Sequence, residues 1–354
     1  MLFRCDATKN TGLGHLSRCL ALAEAFQDLG HESYFAGHYE SAWARGIQDA
    51  GFSITEWNER TGSREDAAAL ASLARALGVH DIVADDYRIS SAWLDRLYDE
   101  GWMPVLFDDY GRLPAYGACR GIINYGVGDT RLPYHGLRDD QILFGPRYFP
   151  ARRELAAVRA TRSGRHNPKG IQNILITLGG LDRHGKIWQV LQAVSGLAPD
   201  AVVRAAVAPA FMHSGDAEPF RKWLVPFTPY MAGHFAWADA CISGGGQTKY
   251  ECAYVGLPVA ILAQTSDEQM DTAVFAAEGL GYDLGGFAQA DRLKEALGVF
   301  IHQPDLRQVL SQNGLERFPP DSPLVTARAV LSWTSQNQLP SMSGSAAIGR
   351  ISKE

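Results

Sequence analysis

The chain has 354 residues, with 33 Lys and Arg against 39 Asp and Glu for a formal charge of -6. One hydrophobic core rarely extends beyond about 250–300 residues, so this length predicts two domains. The acidic balance excludes binding nucleic acid through a broad basic surface, while leaving room for a local anion pocket. Glycine is in excess at 36 residues. That is about a tenth of the chain against an average of roughly 7%, and without a collagen-like period it points to many tight strand-to-helix turns.

Short apolar runs alternate with amphipathic stretches, the pattern of an α/β chain with parallel sheets covered by helices. Residues 1–150 are expected to form a first Rossmann-like, doubly wound domain, with strands near 2–5, 33–36, 53–57, 81–84, 104–107 and 121–124. The clearest helix is expected over 15–29, where Leu16, Leu20, Ala23 and Phe26 make an apolar stripe that Gly30 stops. The polar, basic stretch 151–170 reads as a linker. The pattern restarts over 171–334, a second Rossmann-like domain, with strands expected near 173–177, 202–207, 224–227, 240–242, 258–262 and 282–284, and a mostly helical stretch over 292–333. Residues 335–354 are rich in Ser, Gln and Gly and predict a disordered tail. Two such halves leave a cleft lined by the loops at the carboxyl ends of their strands.

The first of these loops reads Asn10-Thr11-Gly12-Leu13-Gly14-His15-Leu16-Ser17-Arg18. Gly12 and Gly14 let the backbone approach a ligand, and the following helix offers free N–H groups to negative charge. A dinucleotide fingerprint would place glycine at position 17 and an acidic residue after the second strand; the chain has Ser17 and Phe35-Ala36-Gly37 instead, which argues against a nicotinamide cofactor. His15, in the first turn, is a candidate base, expected to be neutral beside the helix N-terminus; it competes with a plain surface or capping role. Arg18 is either an anion ligand or a solvated side chain. The acidic pairs Asp85-Asp86 and Asp108-Asp109 end strands, where helix capping or solvation is the ordinary reading and no metal is expected.

The second loop is more specific: Ser243-Gly244-Gly245-Gly246-Gln247-Thr248-Lys249-Tyr250-Glu251. An apolar strand, three glycines and a polar helix start suit a diphosphate, and Glu251 on the second turn suits the hydroxyls of a ribose. The Walker spacing is absent, so triphosphate hydrolysis is not supported. The loop after the next strand carries Glu268 and Gln269, polar groups placed for sugar hydroxyls or amides. No segment approaches the roughly 20 apolar residues of a membrane span. The charged start, Met-Leu-Phe-Arg-Cys-Asp, is unlike a signal peptide, and a cytoplasmic location is expected.

These residues resemble a known family, the UDP-2,4-diacetamido-trideoxy-altrose hydrolase of pseudaminic acid biosynthesis, itself similar to the MurG glycosyltransferase. The resemblance rests on Phe3-Arg4-Cys5-Asp6-Ala7, the Gly12-to-Ala23 segment, Ala84-Asp85-Asp86-Tyr87, Leu143-Phe144-Gly145-Pro146-Arg147-Tyr148, Thr177-Leu178-Gly179-Gly180-Leu181-Asp182 and the Ser243-to-Glu251 segment. It implies the two-domain glycosyltransferase-B fold. It also implies inverting hydrolysis of a UDP-linked diacetamido sugar, with UDP-sugar and water as partners and no cofactor. By the same resemblance His15 is similar to the family's water-activating histidine, Tyr87 to a tyrosine near the sugar, and Glu251 to the nucleotide-contacting glutamate. Gly179, Gly180 and Gly244 to Gly246 would border the substrate. The chain departs from the family's pattern at Glu268, where Asn is usual, and at Asn124-Tyr125-Gly126. The alternative on the same fold is a glycosyltransferase in which His15 deprotonates an acceptor hydroxyl.

Overall fold

The structure, a computed structural model, describes residues 1–8, 11–128, 134–163, 170–179, 182, 185–228, 230–286 and 290–335. The expected tail, apart from Ser335, lies outside the described residues, as does part of the expected linker, 164–169.

Two parallel sheets form the frame. The first holds β1 (Leu2–Cys5), β2 (Tyr34–Gly37), β3 (Ser53–Glu56), β4 (Ile82–Asp85), β5 (Val105–Phe107), β6 (Gly121–Asn124) and β7 (Ile142–Phe144), in the order β3-β2-β1-β4-β5-β6-β7. The second holds β8 (Asn173–Thr177), β9 (Val202–Val207), β10 (Leu224–Pro226), β11 (Ala240–Gly244), β12 (Val259–Ala263) and β13 (Tyr282–Gly286), in the order β10-β9-β8-β11-β12-β13. The strand order reverses between β1 and β4 and again between β8 and β11. Such switch points open a crevice at the carboxyl ends of their strands. Both glycine-rich loops leave from those ends.

Local chemistry explains the elements. The Gly14–Asp28 helix buries Leu16, Leu20, Ala23 and Phe26, and it stops where Gly30 takes φ 82°, with the His31 and Gly30 amides closing onto the Phe26 and Gln27 carbonyls. β7 was not expected from the sequence; it pairs with β6.

Two boundaries differ from expectation. The 151–170 stretch contains a helix, Arg153–Arg162, that buries Leu155 and Val158. Two of its arginines are buried: Arg159 donates to the Tyr254 and Leu315 carbonyls, and Arg162 donates to those of Phe235 (3.1 Å) and Ala238 (2.7 Å). These carbonyls sit near the ends of three other helices, where acceptors lack intrahelical partners. The Ser322–Ser335 helix, expected with the second half, instead packs on the Gly14–Asp28 helix of the first. The Ser322 hydroxyl donates to the Phe149 carbonyl (2.8 Å), and the Trp333 indole N–H donates to that of Asp140 (2.8 Å). Around Phe149 one apolar cluster runs through both halves, taking in Phe3, Phe26, Tyr125, Tyr250, Tyr254 and Phe318.

Candidate active site

A cleft of about 1080 Å³ lies between the two sheets. From the first half it is lined by the Gly12–Arg18 segment, Tyr87 and Tyr125; from the second it is lined by Gly179, Gly244 to Thr248, and Glu251.

His15 stands one residue into its helix, buried to 7% exposure. Its Nδ1 lies 2.6 Å from Asp85 Oδ1 at the end of β4. That leaves Nε2 as the nitrogen available to a substrate. Burial would lower the imidazolium pKa, but the Asp85 carboxylate and its hydrogen bond outweigh this, and the net direction is upward from 6.5. The neutral histidine expected from the helix N-terminus is therefore corrected: a carboxylate in contact outweighs a screened dipole. Asp85 itself is held well below the usual carboxylate range, because Arg18 and His15 overcome the penalty of its burial.

Arg18 is neither solvated nor turned toward a ligand. Its guanidinium donates to Asp85 Oδ2 (2.5 Å) and Oδ1 (2.7 Å), to both oxygens of Asp109 (2.7 and 2.8 Å) and to the Tyr125 hydroxyl (3.0 Å). Tyr87 forms a wall. Its ring meets the His15 ring edge-on at 4.6 Å between centroids, and its hydroxyl donates to Asp109 (2.8 Å). Arg112 lies over the rings of both Tyr87 and Tyr110 and pairs with Asp267 across the cleft. The two acidic strand ends thus spend their carboxylates on protein donors: Asp86 pairs with Arg88, and Asp108 accepts from the Tyr110 and Gly111 amides and from Tyr116. Among the described residues no cluster of three or more metal-ligating side chains occurs.

On the facing side, Gly244 to Gly246 lead into the Gln247–Val255 helix. Gly244 packs under the chain at Leu178, where a Cβ would lie 3.0 Å from the Leu178 carbonyl oxygen; Gly245 packs against Glu268, where it would lie 2.7 Å from the Glu268 Cβ. Glu251 is buried in the cleft wall, which pushes its pKa up to about 7 against the opposing pull of Arg152 and of Ser17. The Ser17 hydroxyl, on the His15 helix, donates to Glu251 from across the cleft (3.3 Å). Among the described residues, each Arg and Lys lining the cleft has a carboxylate partner: Arg18, Arg88 and Arg112 as above, Arg152 with Glu24 and Lys249 with Asp271. An anion entering here meets chiefly backbone amides and a helix N-terminus.

Two expected site residues, Ser243 and Gln269, are not in the cleft lining, and a third, Glu268, is engaged by the chain itself. Ser243 is fully buried beneath the loop, donating to the Gly244 carbonyl. Gln269 turns away from the cleft to pack on Gly286. Glu268 borders the cleft beside Gly245, and its carboxylate accepts from the Gln264 amide (2.7 Å). Gly180 lies outside the described residues. The sequence reading missed Asp85 as the partner of His15, as well as Asp109 and Tyr125. The adjacency of β1 and β4, which joins their carboxyl ends, is the signal that pairs His15 with Asp85.

No protein-family model matches the chain. Over 173 residues it is 31% identical to the spore coat polysaccharide biosynthesis protein SpsG of Bacillus subtilis, covering 46% of this chain and 50% of that protein. Over 272 residues it is 20% identical to an uncharacterized protein of Methanocaldococcus jannaschii, covering 73% of this chain and 54% of that one. The chain thus spans about half the length of the curated relatives it matches. Among solved structures it is similar to MurG of Acinetobacter baumannii, with a TM-score of 0.61 at 12% identity over 94% of this chain and 99% of that one. It is likewise similar to S. aureus MnaA solved with UDP, with a TM-score of 0.67 at 9% identity over 94% and 96% of the two chains. The chain has the glycosyltransferase-B fold. The glycosyltransferase VinC, solved with dTDP, aligns over 95% of this chain and 99% of its own at TM-score 0.61 and 17% identity. In this glycosyltransferase-B chain no described helix is long and apolar enough to cross a membrane.

Proposed function

We propose that the protein cleaves the anomeric bond of a nucleoside-diphosphate-linked sugar and passes the sugar to a hydroxyl acceptor in glycan synthesis. One observation carries the reading: a His15–Asp85 pair faces a glycine-rich helix N-terminus across a single cleft. Nε2 of His15 takes the proton of the attacking hydroxyl while the new C–O bond forms at the anomeric carbon. The bond to the diphosphate oxygen breaks with its electron pair, and that charge falls on the amides at Gly245, Gly246 and Gln247. A single displacement opposite the leaving group inverts the configuration. The polysaccharide role named for the Bacillus relative, and the UDP and dTDP in the neighbours' structures, support a sugar nucleotide as donor.

A second reading, hydrolysis of a UDP-linked diacetamido sugar, is favoured by the Tyr87 wall. It leaves His15 only 7% exposed, which suits a nucleophile as small as water. Both readings release the nucleotide. Purified protein is incubated with a panel of UDP-amino sugars, with and without glycan acceptors, and free UDP is measured. Release only with acceptor supports transfer, and release without acceptor supports hydrolysis. No release from any donor under either condition refutes both.

A further inference from the structure

A continuous chain of hydrogen bonds, buried up to Tyr125 and half-buried at Gln247, joins the base to the opposite wall of the cleft. It runs from His15 to Asp85, then to Arg18, to the Tyr125 hydroxyl, and on to Gln247 Oε1, 2.5 Å from that hydroxyl. Gln247 is the first residue of its helix and borders the cleft beside Gly246. The direction of each bond follows from the groups themselves. Arginine can only donate, so the Tyr125 oxygen accepts from Arg18 and its single proton goes onward to Gln247. That proton requires the carbonyl oxygen of the Gln247 amide as its acceptor, which leaves the NH₂ end for the cleft. Tyr125 is 2% exposed, and its ring is held edge-on by Phe149 and Tyr250, with centroids at 5.3 and 5.1 Å.

We propose that Tyr125 is a positioning residue: it locks the Gln247 amide with its N–H donors toward the leaving diphosphate and so ties the leaving-group clamp to the His15 base. The inference rests on the nucleoside-diphosphate reading above. It gives the clamp a neutral side-chain donor where the described Arg and Lys side chains of the cleft are already paired with carboxylates. It also places a function at the Asn124-Tyr125-Gly126 segment, where the chain departs from the family it resembles.

A double-mutant cycle on the full chain tests it, with UDP affinity read by titration calorimetry for wild type, Tyr125→Phe, Gln247→Ala and the double variant. Tyr125→Phe keeps the packed ring and removes only the hydroxyl. It should weaken UDP binding about five- to tenfold, part of the worth of one hydrogen bond to a charged group, since the Gln247 amide is freed rather than removed. In the Gln247→Ala background the same change should have almost no effect. Equal losses in both backgrounds, or none in either, overturn the proposal while leaving the nucleotide reading intact; a wild type that does not bind UDP overturns both. Gln247→Glu is the second variant. Its carboxylate still accepts from Tyr125 but has no donor, so it should bind UDP no better than Gln247→Ala, and wild-type affinity there also refutes the assignment.

Discussion

Replacing Asp85 by Asn tests the base most directly, because the change is nearly isosteric and its effect follows from donor counting. Asp85 accepts from Arg18 at 2.5 and 2.7 Å and contacts His15 Nδ1 at 2.6 Å. An amide has one acceptor oxygen and one donor nitrogen. Arg18 has only donors, so the amide oxygen turns to Arg18 and the NH₂ turns to His15. Nδ1 must then accept, the ring proton moves to Nε2, and the nitrogen facing the cleft can no longer take a proton. The expected loss in kcat is about 10²- to 10⁴-fold, the range for removing or misdirecting a general base. Losing the carboxylate also removes what raises the His15 pKa. Wild-type activity should climb as pH rises through a value above 6.5, and the residual activity of Asp85→Asn should climb at lower pH. Stability falls too, by roughly 2–4 kcal/mol, since Arg18 loses one of its two carboxylates but keeps Asp109. The assay is UDP release against pH for both proteins, with UDP affinity by calorimetry as control. A variant within tenfold of wild type, with its acid limb unmoved, refutes the role assigned to Asp85.

His15→Ala should lower kcat by about 10²- to 10⁴-fold while UDP affinity stays within threefold; a matching loss of affinity would show that His15 holds the nucleotide instead. Glu251, with a pKa of about 7, should bind a ribose best when ionised, so UDP affinity should rise between pH 6 and 8, with the proton lost on binding. Glu251→Gln should abolish that slope. The raised carboxyl pKa also means that Glu251 costs the empty fold stability as pH climbs from the unfolded value toward 7 and above. The same variant should therefore be more stable than wild type at pH 8, by roughly 2–3 kcal/mol in urea unfolding, and a destabilised variant there would contradict the burial argument. Arg159→Ala should cost roughly 2–4 kcal/mol, because it strips charged donors from the Tyr254 and Leu315 carbonyls. Unfolding at wild-type denaturant concentrations would return the Arg153–Arg162 segment to the status of a linker.

Twelve of the thirteen strands among the described residues were legible in the sequence, because buried parallel strands read as apolar runs and the turns after them carry glycine. The twelve include both strands that carry the glycine-rich loops. β7 was missed although β10, an edge strand of the same length, was not, so neither length nor edge position accounts for the difference. Polarity misled at Arg153–Arg162, where long side chains reach helix-end carbonyls while their stems pack. Arg18 misled for a related reason: composition reveals a cation but not the two carboxylates brought from β4 and the loop after β5. His15 and Glu251 stood out from local pattern alone. Asp85 did not, since its pairing with His15 depends on β1 and β4 being neighbours, which is a property of sheet order.

The return of the Ser322–Ser335 helix to the first half means that, within the described residues, the polypeptide passes between the lobes twice; Ser322 joins the two passages at the Phe149 carbonyl, and Tyr254 of the second lobe holds the Pro320 carbonyl of the returning one. Two adjacent strips of backbone behave as a door hinge rather than a swivel: they permit swing about one line and resist twist. Along that line lies the aromatic packing of Phe149, whereas the opposing faces of the cleft meet through isolated polar contacts such as Ser17 to Glu251 and Tyr230 to Gly46. A swing about that line would break the weak contacts first and keep the lobes in register, with His15 and the glycine loop realigned on closure.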